Sequence, residues 1–376
     1  MNRQKPLGLG LVGCGGFGLF CMEAFSQLAD IQPVAVADVI AAAADRAGER
    51  FGVPAYSDPI ELIARKDVDI VHVATPPSTH YELVLAAAAA GKHALCEKPL
   101  AMDLAQADEM LADVAQAGVI APVNFVLRYN AVTDAVSAIL ASGLLGEPLS
   151  ARLTNCASDD KLVPEHWFWD KSVSGGIFVE HGVHFFDLYR HWLGPGRVIS
   201  AHTESRPAVD TPNGPVACED RVTCTVRHDS GVIASHYHGF DQAGPMDRTE
   251  HRIVCELGDV RVEGWIPLAL EIDALVDDAG ADRLAELCGG ADVETIERLP
   301  AGQDVRGRNK PRGVTRRIRI GYQPETDKQS IYARSVRALL ADQIAYIRDA
   351  SHQRRITEQN GRDALGLAQA ATEMAR

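Results

Sequence analysis

Apolar and polar positions along the first 125 residues alternate between two periods. Leu7–Val12 is a continuous apolar run of strand length, and residues 19–28 place Leu19, Met22 and Phe25 on one side of a helix. A second apolar run covers 33–37, followed by a helix over 41–51 and a helix start at Asp58-Pro59, where an N-cap precedes a first-turn proline. A β-rich run over 68–74 leads through Thr75-Pro76-Pro77 into a helix over 79–90, which Gly91 ends. A strand over 93–96, a helix from the cap Asp103 to Ala117 and a further strand over 119–125 complete the series. Such alternation predicts a parallel sheet covered on both faces.

The pattern then changes. A helix over 131–142 ends at Gly143, and Gly146-Glu147-Pro148 reads as a turn. Short strands follow over 149–157, 198–203, 221–227, 232–238, 252–257 and 260–265, with tight turns at 229–231 and 258–259. They predict an antiparallel sheet, interrupted by a helix near 177–193. Residues 276–315 are polar and glycine-rich and read as a long loop or insertion; helices are expected over 329–349 and 358–376.

At 376 residues, two domains are the default. A formal net charge of −14 argues against nucleic acid or an anionic membrane as partner. The eight cysteines form no C-x-x-C pair, which predicts reduced core thiols and a cytoplasmic protein rather than a disulfide framework. No stretch is long and apolar enough to span a bilayer. The 2–6 segment is basic, but the apolar run after it is too short for a signal peptide.

Between the first strand and first helix stands Gly13-Cys14-Gly15-Gly16-Phe17-Gly18. A G-x-G-x-x-G turn of this kind cradles a dinucleotide pyrophosphate: one glycine for the turn, one for phosphate approach, one for helix–strand packing. Asp38 closes the next apolar run, at the distance where a carboxylate accepts hydrogen bonds from the ribose hydroxyls of NAD. It would repel the 2′-phosphate of NADP, and Val39-Ile40 supply no cation to hold one, so NAD is the expected cofactor. An ordinary turn aspartate is the plain alternative. The expected fold class is therefore α/β, with a dinucleotide-binding domain first.

Two segments carry candidate chemistry. Glu97-Lys98-Pro99 directly follows a strand, so topology places Lys98 near the nicotinamide, where its ammonium could stabilise an alkoxide. A solvent-exposed turn lysine is the alternative. In the second segment, after Gly175-Gly176, a regular helix would put Glu180, His184, Asp187 and His191 on one face of an otherwise apolar helix. Such a stripe is used, or it faces water or a subunit boundary; histidine is the natural proton carrier near neutral pH.

Taken together, Gly13–Gly18, Thr75-Pro76-Pro77 with His80, Cys96-Glu97-Lys98-Pro99, and Gly175-Gly176 followed by Glu180-x-x-x-His184 resemble the glucose–fructose oxidoreductase / inositol dehydrogenase (Gfo/Idh/MocA) family. The resemblance spans both expected domains and implies an NAD(P)-binding Rossmann domain over 1–126 joined to an α/β domain over 127–376 for substrate binding and oligomerisation, with a large, mostly antiparallel, open-faced sheet. It implies cofactor contacts from Gly13, Gly15, Gly16, Phe17, Gly18, Asp38, Thr75, Pro76, His80, Glu97 and Lys98. It implies that Lys98 and His184 flank the substrate carbon facing the nicotinamide, with Glu180 beside them and Asn124 and Arg128 lining the cleft. The family usually has Asp where this chain has Glu180.

The expected reaction is NAD-dependent oxidation of a sugar- or cyclitol-like secondary alcohol, or the reverse reduction. His184 acts as acid/base and Lys98 as oxyanion stabiliser. Two rivals are an NAD-dependent glycosidase working by transient oxidation and elimination, and a non-catalytic dinucleotide sensor. Trp167 could stack on a sugar ring or simply pack, and His181 is a further candidate for the pocket. His236 and His238 alternate on a strand and face one way; they read as exposed-sheet histidines at a subunit contact, and no metal is expected. The expected partners are a small-molecule substrate and further copies of the chain, as a homodimer or homotetramer, because an open sheet face tends to be covered.

Overall fold

In a computed structural model of the chain, residues 5–211, 214–300 and 305–375 are described. The first strands and helices are β1 (Leu7–Val12), α1 (Gly16–Phe25), β2 (Ile31–Ala37), α2 (Ala41–Phe51), β3 (Ala55–Tyr56), α3 (Pro59–Ile63), β4 (Ile70–Val73), α4 (His80–Ala89), β5 (His93–Cys96) and α5 (Leu104–Ala117). The five strands pair in parallel in the order β3-β2-β1-β4-β5. Leu9, Leu11, Val36, Val71 and Val73 are fully buried, as a sheet covered on both faces requires. The Asp58 and Asp103 carboxylates accept from the backbone N–H groups of Ile60 and Gln106 and so start α3 and α5. Strand order reverses around β1, which puts a ligand crevice at the carboxyl ends of β1 and β4.

One expected strand is absent from this series. Over 119–125 only Val123 pairs, through a bridge to Cys96, before a 3₁₀ turn at Val126–Tyr129. Pro122 accepts from Cys96 N–H through its carbonyl but has no N–H of its own, which stops a ladder from extending.

The chain continues as α6 (Ala131–Ser142), β6 (Pro148–Ser158), α7 (Lys171–Ser174), α8 (Val183–Leu193), β7 (Gly196–Ser205), β8 (Val209–Thr211), β9 (Gly214–Val216), β10 (Glu219–His228), β11 (Ile233–Gln242), β12 (Arg248–Cys255), β13 (Gly258–Glu263) and β14 (Ala269–Val276). It closes with α9 (Asp278–Leu287), β15 (Val293–Arg298), β16 (Val305–Gly307), β17 (Lys310–Arg312), β18 (Arg316–Tyr322), α10 (Lys328–Arg348) and α11 (Glu358–Met374). Nine strands form one sheet, β15-β18-β14-β13-β12-β6-β11-β10-β7, antiparallel except for the β6–β11 pair. Alternation sets its two faces. Ile253, Val260, Val262, Leu270, Ile272, Ile318 and Ile320 are buried on one face. The other carries ion pairs such as Arg317–Asp273 (2.7 Å) and Arg261–Glu271 (3.0 Å).

Three sequence readings are corrected in this region. Residues 276–315 are not one long loop, because they contain α9, β15 and the β16–β17 hairpin; 301–304 fall outside the described residues. β15 is an edge strand with almost every side chain exposed, so it carries no apolar face to read. The turn assigned to 258–259 lies two residues earlier, at 256–257, since Gly258 and Asp259 already pair in β13 with Cys255 and Val254. His236 and His238 are fully buried, not exposed. They share the covered face with Tyr189 and His251, whose rings lie 4.6 and 5.8 Å apart along Tyr189–His236 and Tyr189–His251.

The chain divides into two compact units. One takes the chain up to Val126 together with His166–Asp187 and Tyr332–Ala370; the other takes Leu127–Glu165, Leu188–Ile331 and the residues from Ala371. All eight cysteines are free and buried. Among the described residues no helix is long and apolar enough to cross a membrane.

Candidate active site

The glycine turn divides its duties between inside and outside. Gly13 has φ +97°, and a Cβ there would stand 2.3 Å from the Ala74 carbonyl oxygen; a Cβ on Gly18 would stand 2.3 Å from the Gly13 carbonyl oxygen. Gly18 thus lets α1 lie against the end of β1, and Gly13 lets the turn pass close to the chain leaving β4. A Cβ on Gly15 or Gly16 would meet nothing within 4 Å, and both residues are exposed. No side chain caps the start of α1. The bare, uncapped helix start fits an incoming pyrophosphate. Phe17 packs against Phe20 and Tyr332, with ring centroids 6.0 and 5.7 Å apart.

Asp38 ends β2 as expected, and its carboxylate braces the turn. Oδ2 accepts from Cys14 N–H at 2.8 Å and Oδ1 from Ile40 N–H at 2.9 Å. Beside it Val39 and Ile40 are 81% and 63% exposed, an apolar rim at the mouth of the crevice. Thr75 Oγ1 accepts from Thr79 Oγ1 at 2.7 Å, and Pro76 is exposed. His80 is fully buried between two carbonyl oxygens, with Nδ1 2.7 Å from Pro99 O and Nε2 2.9 Å from Thr75 O. It therefore ties the loop after β4 to the loop after β5.

Lys98 follows Glu97 out of β5. Its ammonium donates to the Glu180 backbone carbonyl at 2.9 Å and also to the Glu180 carboxylate. Both side chains are largely covered, at 19% and 12% exposure. Glu180 stands in a π-helical turn, Phe178–Gly182, that leads into α8. The regular helix expected over 177–193 is thus replaced at its start by a wider turn, entered from Gly175 and Gly176 with φ of +80° and +87°. Only Glu180 stands in this turn; His184, Asp187 and His191 keep their helical spacing within α8. His191, at the far end of α8, lies 3.1 Å through Nε2 from Ser137 Oγ in the second unit.

His184 lies near Phe125, ring centroids 6.2 Å apart, and is 5% exposed. Burial first, and the nearby Lys98 charge second, hold its imidazole pKa well below the usual histidine value. His181 is shifted the same way by burial, His184 and Lys98. Both rings are therefore neutral near neutral pH, and each keeps a lone pair that can face a hydroxyl proton. Trp167 is 37% exposed and leans on His166 at 5.4 Å.

Glu97 and Asn124 point inward. Asn124 Nδ2 donates to Glu97 Oε1 at 2.6 Å, and His72 Nε2 lies 2.9 Å from the same oxygen. His72 was not singled out from sequence; its signal is a polar residue inside the apolar run of β4, near the carboxyl end where ligands bind. Arg128 is buried in the 3₁₀ turn Val126–Tyr129 and belongs to the second unit.

Residues 7–125 match the NAD-binding Rossmann-fold domain of the Gfo/Idh/MocA oxidoreductase family, and residues 133–261 match its C-terminal domain. The chain belongs to the Gfo/Idh/MocA family. It is 32% identical over 255 residues to myo-inositol 2-dehydrogenase of Thermotoga maritima, covering 66% of this chain and 75% of that enzyme. It is 36% identical over 187 residues to 1,5-anhydro-D-fructose reductase of Ensifer adhaerens, covering 48% of this chain and about half, 53%, of that enzyme. The structure of levoglucosan dehydrogenase in complex with NADH and levoglucosan superposes with a TM-score of 0.78 at 22% identity, over 99% of this chain and 97% of that one, which establishes the shared fold. This Gfo/Idh/MocA protein is thus an NAD-binding oxidoreductase of a sugar and cyclitol dehydrogenase family, acting on CH–OH groups.

Proposed function

We propose that this oxidoreductase interconverts a secondary alcohol of a sugar or cyclitol and the corresponding ketone, with His184 as acid/base and Lys98 as the cation that stabilises the developing alkoxide. NAD, when bound, supplies the hydride acceptor. His184, held neutral by burial, takes the hydroxyl proton. Lys98 donates to the oxygen as negative charge grows on it. Glu180 holds the Lys98 ammonium in place, and its carboxylate can also accept from a neighbouring substrate hydroxyl. His181 and Trp167 are the proposed substrate contacts beside them. The named relatives act on polyhydroxy compounds, which favours a substrate of that class.

The observation that carries this reading is the grouping of Lys98, Glu180 and His184 within one compact unit, together with the bare glycine turn. A panel of polyols and sugars, followed by NADH absorbance, tests it. Turnover on at least one member, lost in Lys98→Met with NAD binding retained, is expected. NAD binding without turnover on a broad panel would instead make the chain a dinucleotide sensor, and release of free sugar from glycosides without net NADH would make it a glycosidase.

A further inference from the structure

We infer that His72 and Asn124 are positioning residues for Lys98, acting through the carboxylate of Glu97; this rests on the role proposed above for Lys98. Glu97 is 6% exposed, Asn124 1% and His72 0%. Both donors converge on one oxygen, Glu97 Oε1, at 2.9 Å from His72 Nε2 and 2.6 Å from Asn124 Nδ2. They come from opposite sides of β5. His72 belongs to β4, and Asn124 follows the residue that bridges to Cys96. The backbone repeats the grip, with Glu97 N–H donating to Val73 O at 2.9 Å and Asn124 N–H to Cys96 O at 2.8 Å.

A carboxylate buried this deeply must be met by donors. Two donors on one oxygen leave its side chain a single orientation. One peptide beyond Lys98, the Pro99 carbonyl lies 2.7 Å from His80 Nδ1. The backbone on both flanks of Lys98 is therefore anchored by buried side chains, while the lysine itself reaches out to Glu180. Cys21 closes the cluster, with Sγ 3.9 Å from Asn124 Nδ2; burial and the Glu97 charge push its thiol well above the usual range, so it remains protonated. Glu97 is then the group whose charge the two donors serve.

The role is positional because none of these side chains needs to touch substrate. A displacement of about 1 Å at a reacting group can cost roughly 100-fold in rate. The test compares His72→Leu, His72→Gln and Asn124→Ala in the full chain, reading kcat and KM for the alcohol, the Kd for NAD and the melting temperature. His72→Leu is expected to lower kcat of the folded enzyme roughly 10–100-fold, with the Kd for NAD nearly unchanged. His72→Gln, which retains an N–H donor, is expected to recover most of that loss. A purely structural role would lower the melting temperature and leave kcat of the folded fraction intact. Should His72→Leu fail to fold, Asn124→Ala removes the second donor and the same fall in kcat is expected there. Wild-type kcat in the folded variants, or His72→Gln no better than His72→Leu, overturns the inference. Absence of turnover in the unmodified enzyme would instead overturn the reading of Lys98 itself.

Discussion

The Lys98 ammonium is held twice by one residue, through the backbone carbonyl and the carboxylate of Glu180. The backbone contact depends on where the π-helical turn puts residue 180, and only the second contact depends on the side chain. Glu180→Gln keeps length and an acceptor oxygen but removes the charge. It is expected to lower kcat/KM about 10-fold, much less than Lys98→Met, which is expected to lower it by about 100- to 1,000-fold. Glu180→Asp withdraws the carboxylate by one methylene and is expected to fall between wild type and Glu180→Gln. Steady-state kinetics on one responsive polyol checks all three.

The pH dependence follows from His184. Its pKa is lowered, so the neutral form survives below the usual histidine value of about 6.5. Activity of the free enzyme needs that neutral form for oxidation. The acid limb of kcat/KM is therefore expected below pH 6.5, and it should disappear in the residual activity of His184→Asn. A profile of kcat/KM against pH for both proteins checks this.

Stability should also fall in acid. His236 and His251 are fully buried, and burial lowers both pKa values, His251 to about 3. In the unfolded chain the same rings titrate near 6.5, so below that pH the unfolded state binds more protons. Stability is full above pH 6.5 and is lost as pH falls from there toward 3. At pH 5.5 the His251 ring alone costs on the order of 1 kcal/mol. Melting temperature against pH checks the slope, and His251→Phe is expected to flatten it.

The glycine turn yields a contrast between two positions. Gly15→Leu points its side chain where the fold has nothing within 4 Å, so the melting temperature is expected to hold while NAD affinity collapses. Gly18→Leu would drive its side chain against the Gly13 carbonyl, and the melting temperature is expected to fall as well. Asp38→Ala is expected to narrow the preference for NAD over NADP by about tenfold or more, because it removes both the ribose acceptor and the repulsion of a 2′-phosphate. Thermal melts and dinucleotide titrations check each variant.

The elements most legible in the chain were those whose ends carry chemistry. α5 starts at the Asp103 cap and stops before Gly118, and α6 stops before Gly143, because caps and left-handed glycines act locally. β1 and β5 are apolar runs with no competing period. Where the sequence misled, the causes were of different kinds. Pro122 sits in a segment with strand-like composition, yet its missing N–H limits pairing to Val123. The π-helical turn at Phe178–Gly182 has no period of its own and was hidden inside a helical pattern. His236 and His238 alternate like solvent-facing residues, but their face is the one that meets Tyr189. At the candidate site the chemical groups were readable as residue types in order. What could not be read was that Glu97 and Asn124 turn inward toward His72, since that depends on which strands flank β5.

Single-turnover hydride transfer puts Lys98 and His184 to the most direct trial. Enzyme preloaded with NAD is mixed with a responsive polyol, and NADH absorbance is followed in the unmodified protein, Lys98→Met, His184→Asn and the double variant. Each single change is expected to slow the transient by about 100-fold or more with NAD still bound, and the double variant to be little slower than the singles, since both groups serve one proton-and-charge transfer. An unslowed transient in either single variant would contradict the assignment.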